Sequence, residues 1–220
     1  MSRLVVFDCD GTLVDSQQLI VRAMGGAFRE HGLEAPPAGA VRALVGLSLT
    51  EAIGRLQPGV AATECLAIAA SYQAAWRAIR ASDGITEPLF PGAREALVEL
   101  DRRGHLLGVA TGKGRGGLLI VLEHHGLERL FVTLQTADRH PSKPHPAMLE
   151  EALRETGSRP EDTLMVGDTT FDVEMALAAG VRPIGVAWGY HPAEALWHAG
   201  AEVVLSGFGE LVDLVEEHAA

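Results

Sequence analysis

Four acidic residues and one lysine follow short apolar segments of this sequence, where their side chains could act together. Asp8 and Asp10 come directly after the run Leu4–Phe7. In an extended strand, residues two positions apart point to the same side. Two neighbouring carboxylates repel each other, so the pair needs a cation or a shared proton unless both are solvated acids at a strand end. The spacing suits a metal site in which one carboxylate is the nucleophile and the other transfers protons. Gly11 then permits a backbone conformation that other residues resist.

The next two apolar segments are followed by a hydroxyl and a lysine. Thr111 and Gly112 come after residues 105–110, where a hydroxyl and free N–H groups could cradle a phosphate, or where Thr111 could simply cap a helix. Lys143 lies between two prolines after the third apolar segment, and it is one of only two lysines in the chain. Its ammonium could neutralise a phosphoryl group and an attacking carboxylate, whereas the alternative is an ordinary surface lysine.

A third acidic position follows the fourth apolar segment, residues 163–166. Asp168 stands at its end, and Asp172 comes four residues later, on the same face once a helix has started. Together with Asp8 and Asp10, these oxygens suit Mg²⁺, which prefers carboxylates, carbonyls and water. Asp168 or Thr169 could instead cap the following helix, and both roles could coexist.

The loop after Thr111 also contains a glycine pattern that is typical of dinucleotide-binding proteins. Gly112, Gly114 and Gly117 have the required spacing between a strand and a helix, and Asp138 lies about twenty residues further on. A lone match of this kind is weak, and it leaves the acidic residues unexplained. A dinucleotide-binding module is therefore a remote alternative.

The elements that must position these residues fall into two parts. From residue 91 onward, apolar strands and helices alternate, which favours a parallel sheet with helices on both faces. Residues 15–90 show only helical patterns, near 17–31, 38–44, 49–56 and 61–80. We therefore predict an α/β fold with a Rossmann-like parallel sheet core, residues 1–14 and 91–220, and an inserted all-helical cap domain, residues 15–90.

Composition excludes several classes of protein. The 220 residues are 47% hydrophobic and 21% charged, as in an ordinary globular protein, and the net charge of −11 argues against sequence-independent nucleic-acid binding. No apolar run approaches the ~20 residues that span a bilayer, and the first residues lead into a strand without a signal-peptide pattern. Two cysteines are too few for a disulfide framework, so we expect a cytoplasmic protein without nucleic-acid or membrane partners.

The motifs DxDGTLxD at residues 8–15, Thr111, Lys143 and GDxxxD at residues 167–172 occur in the order found in the haloacid dehalogenase superfamily. The sequence resembles that superfamily, and the helical insertion is similar to the cap of its phosphoglycolate-phosphatase-like branch. Asp10 argues against the dehalogenase branch, which lacks an acid at this place. The resemblance also implies that the first strand lies between the second and the fourth.

The resemblance further implies an enzyme that hydrolyses a phosphate monoester through an aspartyl-phosphate. Asp8 would be the nucleophile, and Asp10 would protonate the leaving group and then activate water. Mg²⁺ would be held by Asp8, the Asp10 carbonyl and Asp168. The substrate-binding residues implied are Gly11, Thr111, Gly112 and Lys143. Thr111 and Lys143 would also count as catalytic, while Asp172 would position Lys143 or a metal-bound water.

The identity of the substrate stays open in the sequence. A small phosphorylated metabolite such as phosphoglycolate is expected, and Arg42 or Arg55 of the cap could hold a second acidic group. The second motif reads TGK at residues 111–113, where many phosphoglycolate phosphatases have TNK. A phosphoglucomutase-like phosphotransferase on the same fold is the main alternative. Residues 188–191 could line the pocket mouth or pack at a strand end, and a monomer and a dimer are equally compatible with the sequence.

Overall fold

The computed structural model describes residues 2–82 and 87–217. Within them, six parallel strands form one sheet in the order β3-β2-β1-β4-β5-β6. The strands are β1 (Leu4–Phe7), β2 (Leu106–Thr111), β3 (Phe131–Thr136), β4 (Thr163–Gly167), β5 (Arg182–Val186) and β6 (Val203–Leu205). The predicted α/β fold is confirmed, and β1 lies between β2 and β4 as the resemblance implied.

Helices cover both faces of this sheet. They are α5 (Ala93–Arg102), α6 (Arg115–His124), α7 (Ala147–Thr156), α8 (Thr170–Ala178), α9 (Ala193–Ala199) and α10 (Phe208–Glu217). Val5 and Phe7 pack with residues of α5, α6 and α10, whereas Leu4 and Val6 pack with residues of α7 and α8. Because alternate side chains of β1 point into two different cores, all four of its residues are apolar and buried.

Helix α6 begins earlier than the sequence indicates. Its apolar pattern predicts a start near Leu118, but the helix starts at Arg115. Gly116 and Gly117 lie in its first turn, and glycine is among the weakest helix formers. Because glycine has no side chain, these residues add nothing to the apolar pattern, and the first turn of the helix could not be predicted from it.

The register of the strands explains why distant residues meet. Phe7 pairs with Val109 of β2 and with Val166 of β4. The segments that follow these three residues therefore leave the sheet at the same carboxyl edge. In open parallel sheets, ligands bind beyond this edge, where the chain order reverses.

A helical segment, α1 to α4, lies between β1 and α5. Its helices are α1 (Gln17–Glu30), α2 (Ala38–Arg42), α3 (Leu49–Leu56) and α4 (Ala62–Ser82). It has an apolar cluster of its own, which includes Met24, Phe28, Ile53 and Ile68. All four predicted helices are present. Residues 83–86, which follow α4, lie outside the described residues.

The two connections between the helical segment and the sheet run side by side. The N–H of Asp15 donates to the Pro88 carbonyl at 2.8 Å, and the N–H of Phe90 donates to the Leu13 carbonyl at 3.0 Å. The predicted domain boundaries, after residues 14 and 90, fall within these two paired connections. The division into two domains stays a prediction. Nowhere in the described part of the chain do we find a helix with the length and apolarity needed for a membrane span.

Candidate active site

Asp8 stands at the centre of the carboxyl edge. Its N–H donates to the Val166 carbonyl at 2.9 Å, which extends the pairing of β1 with β4 by one residue. Its Oδ1 accepts a hydrogen bond from the Cys9 N–H at 2.6 Å, and its Oδ2 lies 3.0 Å from the Lys143 Nζ. Burial raises the pKa of Asp8 to about 7, against the opposing effect of Lys143.

Lys143 is a buried cation between two carboxylates. Only 1% of it is exposed, and its Nζ also donates to Asp172 Oδ1 at 2.6 Å. Burial alone would lower the pKa of Lys143, but Asp172 and Asp8 outweigh burial and raise the pKa. The alternative of a surface lysine is therefore wrong, and the contact between Asp172 and Lys143 has the geometry that a positioning role requires.

Asp172 is in turn held by the start of helix α8. Thr169 donates to Asp172 Oδ2 from its N–H at 3.0 Å and from its Oγ1 at 2.7 Å. Thr169 is the N-cap residue and completes a capping box with Asp172. Of the two capping residues that the sequence left open, Thr169 is therefore the one that caps α8, while Asp172 completes the capping box with one oxygen and contacts Lys143 with the other.

Asp168 occupies a closely packed position after β4. It is fully buried, and it accepts hydrogen bonds from Thr12 Oγ1 at 2.8 Å and from the Tyr190 N–H at 2.9 Å. Burial raises the pKa of Asp168 well above its usual range. Gly11 has φ +85°, and a Cβ atom at Gly11 would lie 2.3 Å from Asp168 Oδ2. Glycine is thus required for the loop after β1 to pass beside this carboxylate.

Three of these carboxylates could hold a metal ion. Among the described residues, Asp8, Asp168 and Asp172 bring one oxygen each to within 4.8 Å of the others. The buried Oδ2 of Asp8 forms an ion pair with Lys143 Nζ at 3.0 Å but accepts no hydrogen bond of good geometry in the described structure. An oxygen-only donor set with high negative charge fits Mg²⁺. The predicted ligands Asp8 and Asp168 belong to this group, whereas Asp10 was expected to contribute its backbone carbonyl.

Asp10 contacts the other lysine. Lys113 Nζ lies 3.1 Å from Asp10 Oδ1 and 3.1 Å from Glu87 Oε1. Glu87 is fully buried and also pairs with Arg80 Nη1 of α4 at 2.5 Å. Burial would lower the pKa of Lys113, but Asp10 and Glu87 raise it well above its usual range. No sequence motif marks Glu87, and Lys113 stands out in the sequence only as the last residue of the TGK motif.

The Thr111 loop is covered by the helical segment. Thr111 is buried at the end of β2, and its Oγ1 accepts a hydrogen bond from the Lys113 N–H at 3.2 Å. The N-cap of α6 is Gly114, so Thr111 does not cap that helix. A Cβ atom at Gly112 would lie 2.3 Å from the Leu47 carbonyl oxygen, which shows how closely the turn between α2 and α3 approaches this loop.

A cavity of about 370 Å³ lies between the sheet edge and the helical segment. Asp8, Asp10, Thr111 and Gly112 form part of its sheet side, and α1 to α4 supply the opposite side. The two arginines expected to face a substrate do not line it. Arg55 instead pairs with Glu51 at 2.9 Å and lies over the Phe171 ring.

Residues 188–191 pack at the strand end and do not line this cavity. Trp188 donates from Nε1 to the Thr12 carbonyl at 3.0 Å and packs against Phe208, with 4.7 Å between ring centroids. The Tyr190 hydroxyl accepts a hydrogen bond from the Ser16 N–H at 2.9 Å. Of the two interpretations that the sequence left open, the packed strand end is therefore the right one.

Known proteins are similar to this chain in sequence and in fold. A family model described as haloacid dehalogenase-like hydrolase matches residues 5–186. The chain is 39% identical to "Probable phosphatase IndB" of Dickeya dadantii over 217 residues, covering 96% of this chain and 93% of that protein. It is 31% identical to "Phosphoglycolate phosphatase 1" of Pseudomonas aeruginosa, covering 100% of this chain and 82% of that protein. A crystal structure of a predicted phosphatase from Clostridium acetobutylicum superposes with a TM-score of 0.88 at 24% identity over 99% of both chains.

Proposed function

The chain belongs to the haloacid dehalogenase-like hydrolase family and is a phosphatase of that family, and on this premise we propose that it hydrolyses a small phosphate monoester in a Mg²⁺-dependent reaction through an aspartyl-phosphate. The observation that carries this proposal is the position of Asp8. It is a buried carboxylate at the carboxyl edge of the sheet, 3.0 Å from the Lys143 ammonium and next to a cavity large enough for a substrate. Phosphoryl transfer depends above all on such positioning and charge compensation.

We assign the nucleophilic attack to Asp8. A bond forms between an Asp8 carboxylate oxygen and phosphorus while the bond from phosphorus to the alcohol oxygen breaks. The Cys9 N–H and Lys143 hold the carboxylate in place. Hydrolysis of the resulting acyl phosphate by water returns Asp8 and releases inorganic phosphate.

We assign the proton transfers to Asp10. It gives a proton to the departing alcohol oxygen and later takes one from the attacking water. Lys113, 3.1 Å away, fixes the Asp10 side chain at the edge of the cavity. The contact supports a positioning role for Lys113 that the sequence motifs did not indicate.

The remaining residues would hold the phosphoryl group. Lys143 compensates negative charge on its oxygens, while the Thr111 hydroxyl and the backbone around Gly11 and Gly112 supply hydrogen bonds. Asp172 keeps Lys143 in place through the 2.6 Å contact. Asp8, Asp168 and the Asp10 carbonyl would hold Mg²⁺, which supplies the positive charge that lets two anions approach each other.

Phosphatase and mutase outcomes differ in whether water or the substrate accepts the phosphoryl group. The two relatives described above are both named as phosphatases, which favours hydrolysis, and neither name supports a dinucleotide-binding module. The helical segment would act as a cap that contacts the leaving group, with phosphoglycolate as the first compound to test. The cytoplasmic location and the choice between monomer and dimer stay predictions.

The test is inorganic phosphate release from a panel of phosphate monoesters, measured with Mg²⁺ and with EDTA. We expect metal-dependent release by the native protein and loss of at least about three orders of magnitude in kcat for Asp8→Asn. Asp101→Asn, an exposed acid on α5, is the matched control and should retain full activity. Release that continues unchanged in EDTA, or appreciable turnover by Asp8→Asn, would contradict the proposal.

A further inference from the structure

Glu87 is a buried acid to which the proposed mechanism gives no role. It lies in the connection between α4 and α5 and is 0% exposed. Its Oε2 pairs with Arg80 Nη1 at 2.5 Å, and its Oε1 accepts a hydrogen bond from Lys113 Nζ at 3.1 Å. A buried carboxylate is costly unless cations compensate its charge, and here two different elements supply them. Glu87 therefore connects the end of α4 with the loop that follows β2.

The backbone beside this carboxylate is fixed at two points that do not involve Arg80. The Glu87 carbonyl accepts a hydrogen bond from His125 Nε2 at 2.8 Å, just after the end of α6. The next carbonyl, that of Pro88, accepts a hydrogen bond from the Asp15 N–H at 2.8 Å. We therefore expect the Glu87 backbone to keep its place when Arg80 is replaced.

Lys113 is held in a more directional way by Glu87 than by Asp10. Its Nζ lies 3.1 Å from one oxygen of each carboxylate, and the contact with Glu87 is also a hydrogen bond. The buried Oδ1 of Asp10, in contrast, accepts no hydrogen bond within the described parts of the chain. Because hydrogen bonds depend on direction and simple charge attraction does not, Glu87 is the residue that fixes the orientation of the ammonium.

Two further contacts confine the lysine side chain. Its Nζ lies 5.3 Å from the centroid of the Trp76 ring on α4, a distance at which a cation is attracted to an aromatic face. A Cβ atom at Gly117 would lie 3.2 Å from the Lys113 Cγ, so the first turn of α6 packs closely against the stem. A lysine side chain is otherwise flexible and strongly hydrated. The enclosure by α4, α6 and Glu87 therefore gives the ammonium a defined place.

From this geometry we propose that Glu87 is a positioning residue for Asp10 and acts through Lys113. The proposal rests on the proposed function, in which Asp10 transfers the protons. The Glu87 carboxylate anchors the ammonium, and the ammonium keeps the Asp10 side chain where it meets the leaving group. Glu87 is not among the described residues that line the cavity, so its effect on the reaction is indirect.

The role of Asp10 as an acid matters only for leaving groups that need a proton. When the bond from phosphorus to oxygen breaks, an aliphatic alkoxide takes a proton from Asp10, whereas an acidic phenol departs as its anion without one. The value of kcat/KM includes only the steps up to this departure, so the later attack of water does not contribute. A misplaced Asp10 should therefore lower kcat/KM selectively for esters of aliphatic alcohols.

Two esters of similar size, assayed with Mg²⁺, test the proposal. The leaving group of 4-nitrobenzyl phosphate is an aliphatic alcohol, and that of 4-nitrophenyl phosphate is an acidic phenol. For Glu87→Gln we expect kcat/KM to fall by about tenfold or more on the first ester and by less than about threefold on the second. Equal losses on both esters would overturn the proposal and leave Glu87 as a structural link.

Arg80→Met is the matched control, because it removes the other cation of Glu87 and keeps the contact with Lys113. We expect it to change kcat/KM for both esters by the same factor. A selective loss as large as that of Glu87→Gln would contradict the route through Lys113. If Glu87→Gln alone does not fold, the double variant Glu87→Gln/Arg80→Met, which removes one charge of each sign, must show the selective loss.

A crystal structure of Glu87→Gln separates this proposal from the proposed function. If the native protein releases phosphate from no ester, the proposed phosphatase activity fails, but the positions of Lys113 and Asp10 can still be determined. We expect the Asp10 carboxylate to leave its native position, because the ammonium beside it is no longer anchored. An Asp10 side chain in its native position overturns the role of Glu87 whether or not any ester is hydrolysed.

Discussion

At the carboxyl edge of the sheet the buried side chains are charged and held by partners, whereas the helical side of the cavity is mostly apolar. Asp8, Asp168 and Lys143 are each at most 1% exposed, and each is fixed by ion pairs or hydrogen bonds. On the helical side, Trp76 keeps an indole N–H without a partner in the described structure. The difference indicates that the chemical step belongs to the strand ends and that the choice of leaving group belongs to the helices.

The two sides also differ in what a substitution would disturb. A buried ion needs its counter-ion, because removal of one partner leaves a charge that neither water nor protein compensates. An apolar wall tolerates changes of shape at a smaller cost. Changes in the helical wall should therefore alter substrate preference while the charged cluster keeps its arrangement.

The largest expected effect comes from Lys143→Met. It leaves Asp8 and Asp172, both 1% exposed, without their shared cation. We expect the free energy of unfolding in urea to fall by about 3–5 kcal/mol and phosphate release to be lost. A loss below about 1 kcal/mol would show that the charges at the carboxyl edge do not depend on one another, and it would contradict the contrast drawn here with the apolar helical side.

Lys113→Met should have a smaller effect, because this lysine lies where the two sides meet. Asp10 would lose its cation, but Glu87 would keep Arg80 at 2.5 Å. We expect a loss of about 1–3 kcal/mol in urea unfolding and a decrease in kcat of about tenfold, larger than any change in KM. Lys113→Arg should recover part of kcat. A destabilisation as large as that of Lys143→Met would contradict this ranking.

The pH dependence of metal binding tests whether the metal site is made of buried carboxylates. Burial raises the pKa of Asp8 from 3.8 to about 7, so the folded protein without metal binds a proton that the unfolded chain releases. In EDTA, the stability conferred by the protonated form is therefore lost as the pH rises from about 4 to about 7. Because Mg²⁺ needs ionised carboxylates, its stabilising effect should grow over the same window.

Thermal denaturation with Mg²⁺ and with EDTA measures this effect. We expect the increase in Tm on adding Mg²⁺ to be several degrees larger at about pH 8 than at about pH 5. Asp168→Asn should remove most of the increase. An increase that is equal at both pH values would contradict a site made of buried carboxylates.

The smallest expected effect is that of Thr169→Ala. The change removes the N-cap side chain of α8 and one of the two hydrogen bonds that Thr169 donates to the Asp172 carboxylate. We expect a loss of about 1 kcal/mol in urea unfolding and a modest decrease in activity. Thr170→Ala, one residue further along, is the control and should change neither quantity measurably.

Much of the charged cluster at the carboxyl edge could be predicted from the sequence, because parallel strands place their carboxyl ends at one edge. Asp8, Lys143 and Asp168 could therefore be brought together from their positions after apolar segments. Glu87 could not, since it enters the site from a turn-rich connection and is linked to Asp10 only through Lys113. Such a contact depends on how the helical segment packs and has no spacing that a motif could show.

On the helical side, the sequence predicted the helices but not which of their residues line the cavity. Apolar periodicity indicates which face of a helix is buried, yet it does not distinguish a face that meets another helix from one that lines a cavity. Arg55 illustrates this limit, because the expected contact with a substrate is replaced by the Glu51 ion pair and the Phe171 ring. The position of Trp76 in the cavity lining could not be predicted for the same reason, because Trp76 lies in a long helix without a motif.

The most direct test of the account is to identify the residue that receives the phosphoryl group. The native protein with Mg²⁺ and a labelled ester would be quenched in acid during a single turnover, digested and examined by mass spectrometry. We predict that the phosphoryl group is found on Asp8, and that Asp8→Asn neither takes up label nor releases phosphate. A label on any other residue, or release by Asp8→Asn at a rate near that of the native protein, would contradict the account.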